Sequence, residues 1–162
     1  MLERIEPQDG QLSAWDFPRP PIVEKVDATL KVVYKGKVIA ETTKGFRVLE
    51  KYLAPSYYFP REDIKDDFLQ EVDHATFCRH TGTASYYNVV VDDDVSERAC
   101  WSYVEPNEPY AEIAGYIAFY PSRVDACYVN EEQAESQHAN YYGGWITEEI
   151  VGPFSGDPGI EF

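Results

Sequence analysis

Short segments in which hydrophobic and polar residues alternate follow one another along this chain from about residue 30. Residues 30–34 and 37–41 flank Lys35 and Gly36, and the glycine supplies the positive φ that a tight hairpin turn needs. Further strands are expected at residues 46–49, 57–59, 74–78, 84–91 and 99–104, where β-branched and aromatic residues recur. The pattern therefore predicts a succession of β-strands.

The second half of the chain adds weaker signals. Residues 113–120 and 124–129 predict another hairpin around Pro121 and Ser122. A proline followed by acidic residues at 60–63 is typical of a first helical turn, so a short helix or turn is expected there. Residues 131–140 are polar enough for a solvated linker or a second short helix.

These elements predict a single, mainly β protein. A chain of 162 residues that is 44% hydrophobic can bury one core without disulfides. The expected architecture is one antiparallel β body with one or two short helices. It consists of a domain at residues 22–130, a proline-rich N-terminal arm at 1–21, and an extended C-terminal arm at 131–162 that packs on the domain.

The strongly negative charge of the chain excludes some classes of binding partner. A formal net charge of -15 would repel a phosphate backbone, so neither nucleic acid nor an anionic membrane is expected as a partner. The acidity is typical of a soluble protein, and a cationic partner is the other interpretation. No apolar run approaches the ~20 residues of a membrane span, and a cytoplasmic monomer or homodimer is expected.

The stretch from Tyr57 to Tyr87 holds the candidate chemistry. His74, Cys78 and His80 would share one face of a strand and are metal-ligand types, but no fourth ligand follows from the sequence, so no metal and no cofactor is predicted. Cys78 or His74 could instead be a catalytic group, with nearby Arg61 or Arg79 lowering the thiol pKa. The opposing interpretation is a buried, inert thiol.

Aromatic residues give a third interpretation of this stretch. The surplus of Tyr over Phe, 13 against 8, favours an inner surface that is partly polar, because buried hydroxyls need partners. A ligand pocket is therefore predicted, with Arg61 either anchoring the ligand or forming a salt bridge to a local acid. The predicted ligand-binding residues are Tyr58, Arg61, Cys78, Tyr86, Trp101 and Tyr120.

Other chemistry finds no support in the sequence. The chain has no glycine-rich phosphate loop and no G-x-S-x-G segment. Adjacent acidic residues are no more frequent than expected for 29 acids. Cys100 and Cys127 lie in apolar strands and are expected in the core, and three widely spaced cysteines do not predict a disulfide framework.

Several segments of the chain resemble the family known as domain of unknown function 427. The resemblance rests on the segments at residues 15–21, 37–42, 47–50 and 57–63, on Asp73-His74, Cys78 and Gly82, and on the segments at 84–87, 101–103, 113–120 and 142–147.

The resemblance implies a β-tent fold, similar to the ligand-binding domain of cereblon and to methionine sulfoxide reductase B. Those relatives hold a zinc with two cysteine pairs, which this chain lacks. A nucleotidyltransferase-like label has been attached to the family, and this sequence offers no phosphate-binding motif to support it. A lysine common in the family before the glycine is Thr81 here, with Arg79 or His80 as possible substitutes.

Three functions remain open from the sequence. The leading hypothesis is a protein that binds a small molecule in the aromatic pocket. The alternatives are an enzyme with a reactive Cys78 or His74, and a structural or interaction module that uses the terminal arms.

Overall fold

The computed structural model describes residues 4–138 and 142–158, and in these ranges it contains strands and short 3₁₀ turns but no α-helix. The strands are β1 Leu12–Ser13, β2 Ile22–Lys25, β3 Leu30–Tyr34, β4 Lys37–Thr42, β5 Phe46–Leu49, β6 Ser56–Phe59, β7 Leu69–Cys78, β8 Gly82–Val91, β9 Asp94–Ser102, β10 Ile117–Phe119, β11 Ala126–Val129, β12 Glu132–Gln133, β13 Glu135–Ser136, β14 Trp145–Ile146 and β15 Ile150–Val151. The prediction of a mainly β protein is confirmed.

Two sheets form the body of the protein. A seven-stranded sheet has the order β2-β5-β6-β10-β9-β8-β7, and a four-stranded sheet has the order β12-β11-β3-β4. All pairs within these sheets are antiparallel. Neither sheet closes into a barrel in the described part of the chain.

The main core lies between the two sheets. Leu30 and Val32 of β3 and Ile39 of β4 pack with Phe59 of β6 and Phe119 of β10, and all five are fully or almost fully buried. Because successive side chains of a strand point to opposite faces, Tyr57 and Phe59 enter this core. The residues between and beside them face the other side of the seven-stranded sheet.

Local turn chemistry forms the tight hairpins. Lys35 and Gly36 have φ angles of 50° and 76°, which is the left-handed backbone that a two-residue turn between β3 and β4 requires. The first predicted hairpin is therefore confirmed. The expected helix at residues 60–63 is a 3₁₀ turn at Arg61–Asp63.

The second predicted hairpin is wrong. β10 pairs with β6 and β9 in the large sheet, whereas β11 pairs with β3 and β12 in the small one. The chain between them forms a 3₁₀ turn at Pro121–Arg123 and crosses from one sheet to the other. Residues 131–138 contain the short strands β12 and β13 rather than a helix or linker, and the rest of that predicted segment, 139 and 140, lies outside the described residues.

A segment from the first part of the described chain packs against one from its last part. β1 and β15 form a parallel pair, and the indole nitrogen of Trp15 donates to the carbonyl of Pro153 over 2.7 Å. Phe17 and Phe154 are buried in the same small cluster as Ala54. The division into a domain and two arms stays a prediction. No helix in the described residues is long and apolar enough to cross a membrane.

Candidate functional site

A cavity of about 240 Å³ lies on the face of the seven-stranded sheet that points away from the main core. Its walls come from β5, β6, β8 and β9, from the turn after β7, and from the segment that leads into β14. Strand alternation explains its position: Cys100 enters the main core and its neighbour Trp101 faces the cavity. One sheet thus supports a packed core on one face and a cavity on the other.

Six aromatic side chains contribute to the described lining. They are Tyr58, Tyr86, Trp101, Tyr103, Tyr120 and Tyr142. The other described lining residues are Pro21, Val48, Glu50, Leu53, Ala54, Ser56, Cys78, Thr81, Gln137, Gly143 and Gly144. At roughly 30 Å³ for each water, the cavity could hold about eight waters, which is the size of a small metabolite rather than a drug-sized ligand.

The aromatic walls hold one another in place. The indole nitrogen of Trp101 donates to the hydroxyl of Tyr58 over 3.3 Å, and the two rings meet edge to face with centroids 6.1 Å apart. The Tyr120 ring lies 4.7 Å from the Trp101 ring. The hydroxyls of Tyr86 and Thr76 are 2.9 Å apart. These contacts fix the rings before any ligand binds.

Burial raises the pKa of three of the cavity tyrosines. Removal from water raises the pKa of Tyr58 to about 12, and a hydrogen bond from Trp101 opposes this only in part. Burial also raises the pKa of Tyr103 and Tyr120 above the ordinary range of tyrosine. At neutral pH these hydroxyls can donate and accept hydrogen bonds and carry no charge.

Cys78 stands at the end of β7 and is half-buried at the cavity wall. Its sulfur is 3.6 Å from the hydroxyl of Thr81, which is itself almost fully buried. This contact joins two neutral groups, and a hydroxyl does not activate a thiol as a neighbouring cation or base does.

Two glycines allow the backbone to close the cavity. A Cβ on Gly143 would overlap the six-membered ring of Trp101, and a Cβ on Gly144 would lie 2.5 Å from the carbonyl oxygen of Ala54. Only glycine permits this approach of backbone to ring and backbone to backbone. The next residue, Trp145, is fully buried in the main core and anchors the glycines.

Gln137 joins the pieces of this wall. Its amide oxygen accepts from the backbone nitrogen of Ala54 over 3.0 Å, and its amide nitrogen donates to the carbonyl of Ser155 over 2.7 Å. The side chain is almost fully buried, so both hydrogen bonds are shielded from water. Gln137 therefore links the loop before β6 to the end of the described chain.

The structure brings five of the six predicted ligand-binding residues to this cavity: Tyr58, Cys78, Tyr86, Trp101 and Tyr120. Tyr58 and Tyr86 are on strands that are not neighbours, because β10 and β9 lie between β6 and β8. Their side chains still reach one cavity, because they share a face of the sheet.

Arg61 lies elsewhere, which corrects its predicted position. Its guanidinium is paired with Asp66 over 2.9 Å and lies 5.5 Å from the centre of the Tyr87 ring. Tyr87 follows Tyr86 in β8 and points to the opposite face of the sheet, so Arg61 is separated from the cavity by the sheet itself. The salt bridge to a local acid, the second interpretation of Arg61, describes its environment.

His74 is not a described lining residue of the cavity. It lies where the pairing of β7 with β8 is irregular, and its ring packs edge-on against Tyr86 with centroids 4.9 Å apart. No group of three or more His, Cys, Asp or Glu side chains is placed to hold a metal within residues 4–138 and 142–158. Cys100 and Cys127 are buried as expected, and burial raises the pKa of both thiols.

Comparison with known families gives a match over residues 22–130, which is more than half of the 162-residue chain. The matching family is described as a domain of unknown function, DUF427. The chain belongs to the DUF427 family. No curated protein of similar sequence was found.

The DUF427 match ends before the residues that complete the cavity. Gln137, Gly143 and Gly144 all lie beyond residue 130, yet they form one wall. Thr81, at the position where the resemblance implied a lysine, lines the cavity, whereas neither Arg79 nor His80 is a described lining residue. No Lys, Arg or His is therefore found in the described lining of this member of DUF427.

Sequence reasoning missed several lining residues. Tyr103 could have been found, because it is two positions from Trp101 on the same strand face. Gly143 and Gly144 belong to the segment 142–147 that carries the family resemblance, but no neighbouring residue indicates which ring the glycines contact. Glu50 belongs to the segment 47–50 that carries the resemblance, but nothing local distinguishes its carboxylate from the other acids of a chain that has 29.

Proposed function

We propose that this DUF427 protein binds a metabolite-sized small molecule in the cavity behind the seven-stranded sheet. The observation that carries the proposal is an already formed cavity of about 240 Å³ with six aromatic side chains in its described lining. Polar groups stand among the rings, including the hydroxyls of Tyr58 and Thr81, and could orient a ligand. Aromatic walls together with polar groups that fix a ligand's orientation are features of small-molecule sites.

The enzymatic alternative has weaker support. A reactive Cys78 would need a base or a cation near its sulfur, and the polar group 3.6 Å from that sulfur is the hydroxyl of Thr81. His74 packs edge-on against Tyr86 and is not a described lining residue. An interaction module that uses the arms is also less favoured, because Trp145 and Phe154 are buried inside the protein.

The proposal is tested by native mass spectrometry of the purified protein and by thermal-shift screening of a small-molecule library. We expect a co-purified molecule or library ligands whose binding is lost in Val48→Phe, because Val48 lines the cavity and a larger ring there would fill it. Val95→Phe is the matched control, since Val95 is exposed in the first part of β9.

The folding of both variants is first checked by circular dichroism and melting temperature, and ligand binding is then measured. Ligand binding that survives in Val48→Phe, or the absence of both a co-purified molecule and a library ligand, would refute the proposal.

A further inference from the structure

We infer that the cavity selects a small organic cation, such as a quaternary or protonated amine, over neutral and anionic molecules of the same shape. The inference rests on the proposed function and names the class of ligand. It comes from the charges and the rings of the lining together.

The formal charge of the described lining is negative. Glu50, the residue that directly follows β5, contributes a carboxylate, and the described lining contains no Lys, Arg or His. The tyrosine hydroxyls carry no charge at neutral pH. An anion would therefore meet a carboxylate with no cationic side chain in the described lining beside it, whereas a cation would meet an opposite charge.

The charge of Glu50 is only partly compensated. Its carboxylate is 3.5 Å from the guanidinium of Arg19, and the Glu50 side chain is 25% exposed while that of Arg19 is 45% exposed. The same Arg19 nitrogen also donates to the backbone carbonyl of Lys51, and the guanidinium lies over the Tyr52 ring. An ion pair so exposed and shared contributes little, which leaves the carboxylate available to a second cation.

The aromatic walls favour the same class of ligand. The faces of Trp and Tyr rings attract cations through their quadrupole, and desolvated sites strengthen this attraction. The protein already uses one of these rings in this way: the Arg123 guanidinium stacks 3.9 Å from the centre of the Tyr120 ring and donates to the carbonyl of Arg98. Arg123 is not among the described lining residues, so the cavity side of the aromatic wall remains open to a ligand.

The charge of the whole molecule acts in the same direction. A net charge of -15 surrounds the protein with negative potential, which raises the local concentration of cations and opposes the approach of anions. This long-range effect is screened by salt, whereas the contacts within the cavity are screened less. Selection by the cavity itself should therefore persist at high ionic strength.

The test compares three probes of one shape by isothermal titration calorimetry at low and high salt. Choline is the cation, dimethylbutanol is its neutral carbon isostere, and dimethylbutanoate is the anion. We expect choline to bind at least about tenfold more tightly than either of the others, because a carboxylate and an aromatic wall together favour the charged form by this order.

Two isosteric substitutions localise the effect. Glu50→Gln should weaken choline binding by about tenfold and leave dimethylbutanol unchanged, since only the charge is removed. Glu62→Gln is the matched control, because Glu62 is an exposed acid paired with Lys44 and is not a described lining residue. Binding of every probe should be lost in Val48→Phe.

The outcomes separate this inference from the proposed function. If dimethylbutanol or dimethylbutanoate binds as tightly as choline and Val48→Phe abolishes that binding, the cavity is a ligand site but the inference of a cation is overturned. If none of the probes binds, the inference is overturned and the library screen alone decides the proposed function. The comparison of probes on the unmodified protein keeps the test valid even if Glu50→Gln is unstable.

Discussion

Replacement of Trp145 should destabilise the whole protein, although it lies beyond the DUF427 match. Its side chain is fully buried between the sheets, with ring centroids 4.8 Å from Tyr57 and 6.0 Å from Phe59. Its indole nitrogen donates to the carbonyl of Phe119 over 3.1 Å. The pairing of β10 with β6 ends at Ala118. At the next residue, Phe119, the indole of Trp145 therefore supplies a hydrogen bond to the backbone carbonyl in place of β6.

The magnitude follows from these contacts. Trp145→Phe keeps an aromatic ring but leaves the buried carbonyl of Phe119 without its donor, which costs about 1–3 kcal/mol. Trp145→Ala also opens a cavity in the core and should cost about 3–5 kcal/mol. Since a domain of this kind is stable by only about 5–15 kcal/mol, the alanine variant should lose a large part of the total stability.

Urea unfolding followed by circular dichroism measures these changes as shifts in the free energy of unfolding. Phe77→Ala is the matched control, because this phenylalanine is 74% exposed on β7 and its removal should change stability by less than about 0.5 kcal/mol. The reasoning would be refuted if Trp145→Phe were as stable as the unmodified protein, or if Phe77→Ala lost as much stability.

Three further predictions concern a buried arginine, a buried tyrosine and the exposure of the cysteines. Arg47→Met should lower the free energy of unfolding by about 1–3 kcal/mol, because the Arg47 side chain is only 11% exposed and pairs with two carboxylates and a tyrosine hydroxyl. Burial raises the pKa of Tyr58 from 10.0 to about 12. The neutral Tyr58 side chain therefore contributes its full stabilisation below pH 10, and this stabilisation is lost as the pH rises through about 12. The free energy of unfolding and the phenolate absorbance, both measured in an alkaline titration, report the loss. Iodoacetamide should modify Cys78 in the native protein and reach Cys100 and Cys127 only after unfolding, as intact-mass measurement will show.

Each of these predictions has a control or a contradicting result. Arg61→Met removes an arginine from an exposed ion pair and should change stability by no more than about 1 kcal/mol; a larger loss than in Arg47→Met would contradict the argument. Phenolate absorbance that appears fully before the protein unfolds would contradict the burial of Tyr58. Equal labelling of all three cysteines in the native state would contradict their different exposure.

The strands that could be predicted are those whose signals are local. The hairpin of β3 and β4 follows from alternation and from Gly36, and β5 coincides with the predicted residues 46–49. The partners of β10 and β11 could not be predicted in this way. The two strands flank one turn, but β10 pairs with β6 and β11 pairs with β3 of the other sheet. These partners lie far away in the chain, so no local signal indicates them.

The sequence by itself determined the strand content, the buried cysteines and a set of aromatic residues that share one face, because period-two alternation is a local property of the backbone. Only the tertiary structure decided that Arg61 faces the other side of the sheet, where Asp66 pairs with it. It also decided that Glu50 reaches the cavity and that Gly143 lies on Trp101. These positions depend on contacts between segments distant in the chain, and no local pattern of residues encodes which distant surfaces will meet.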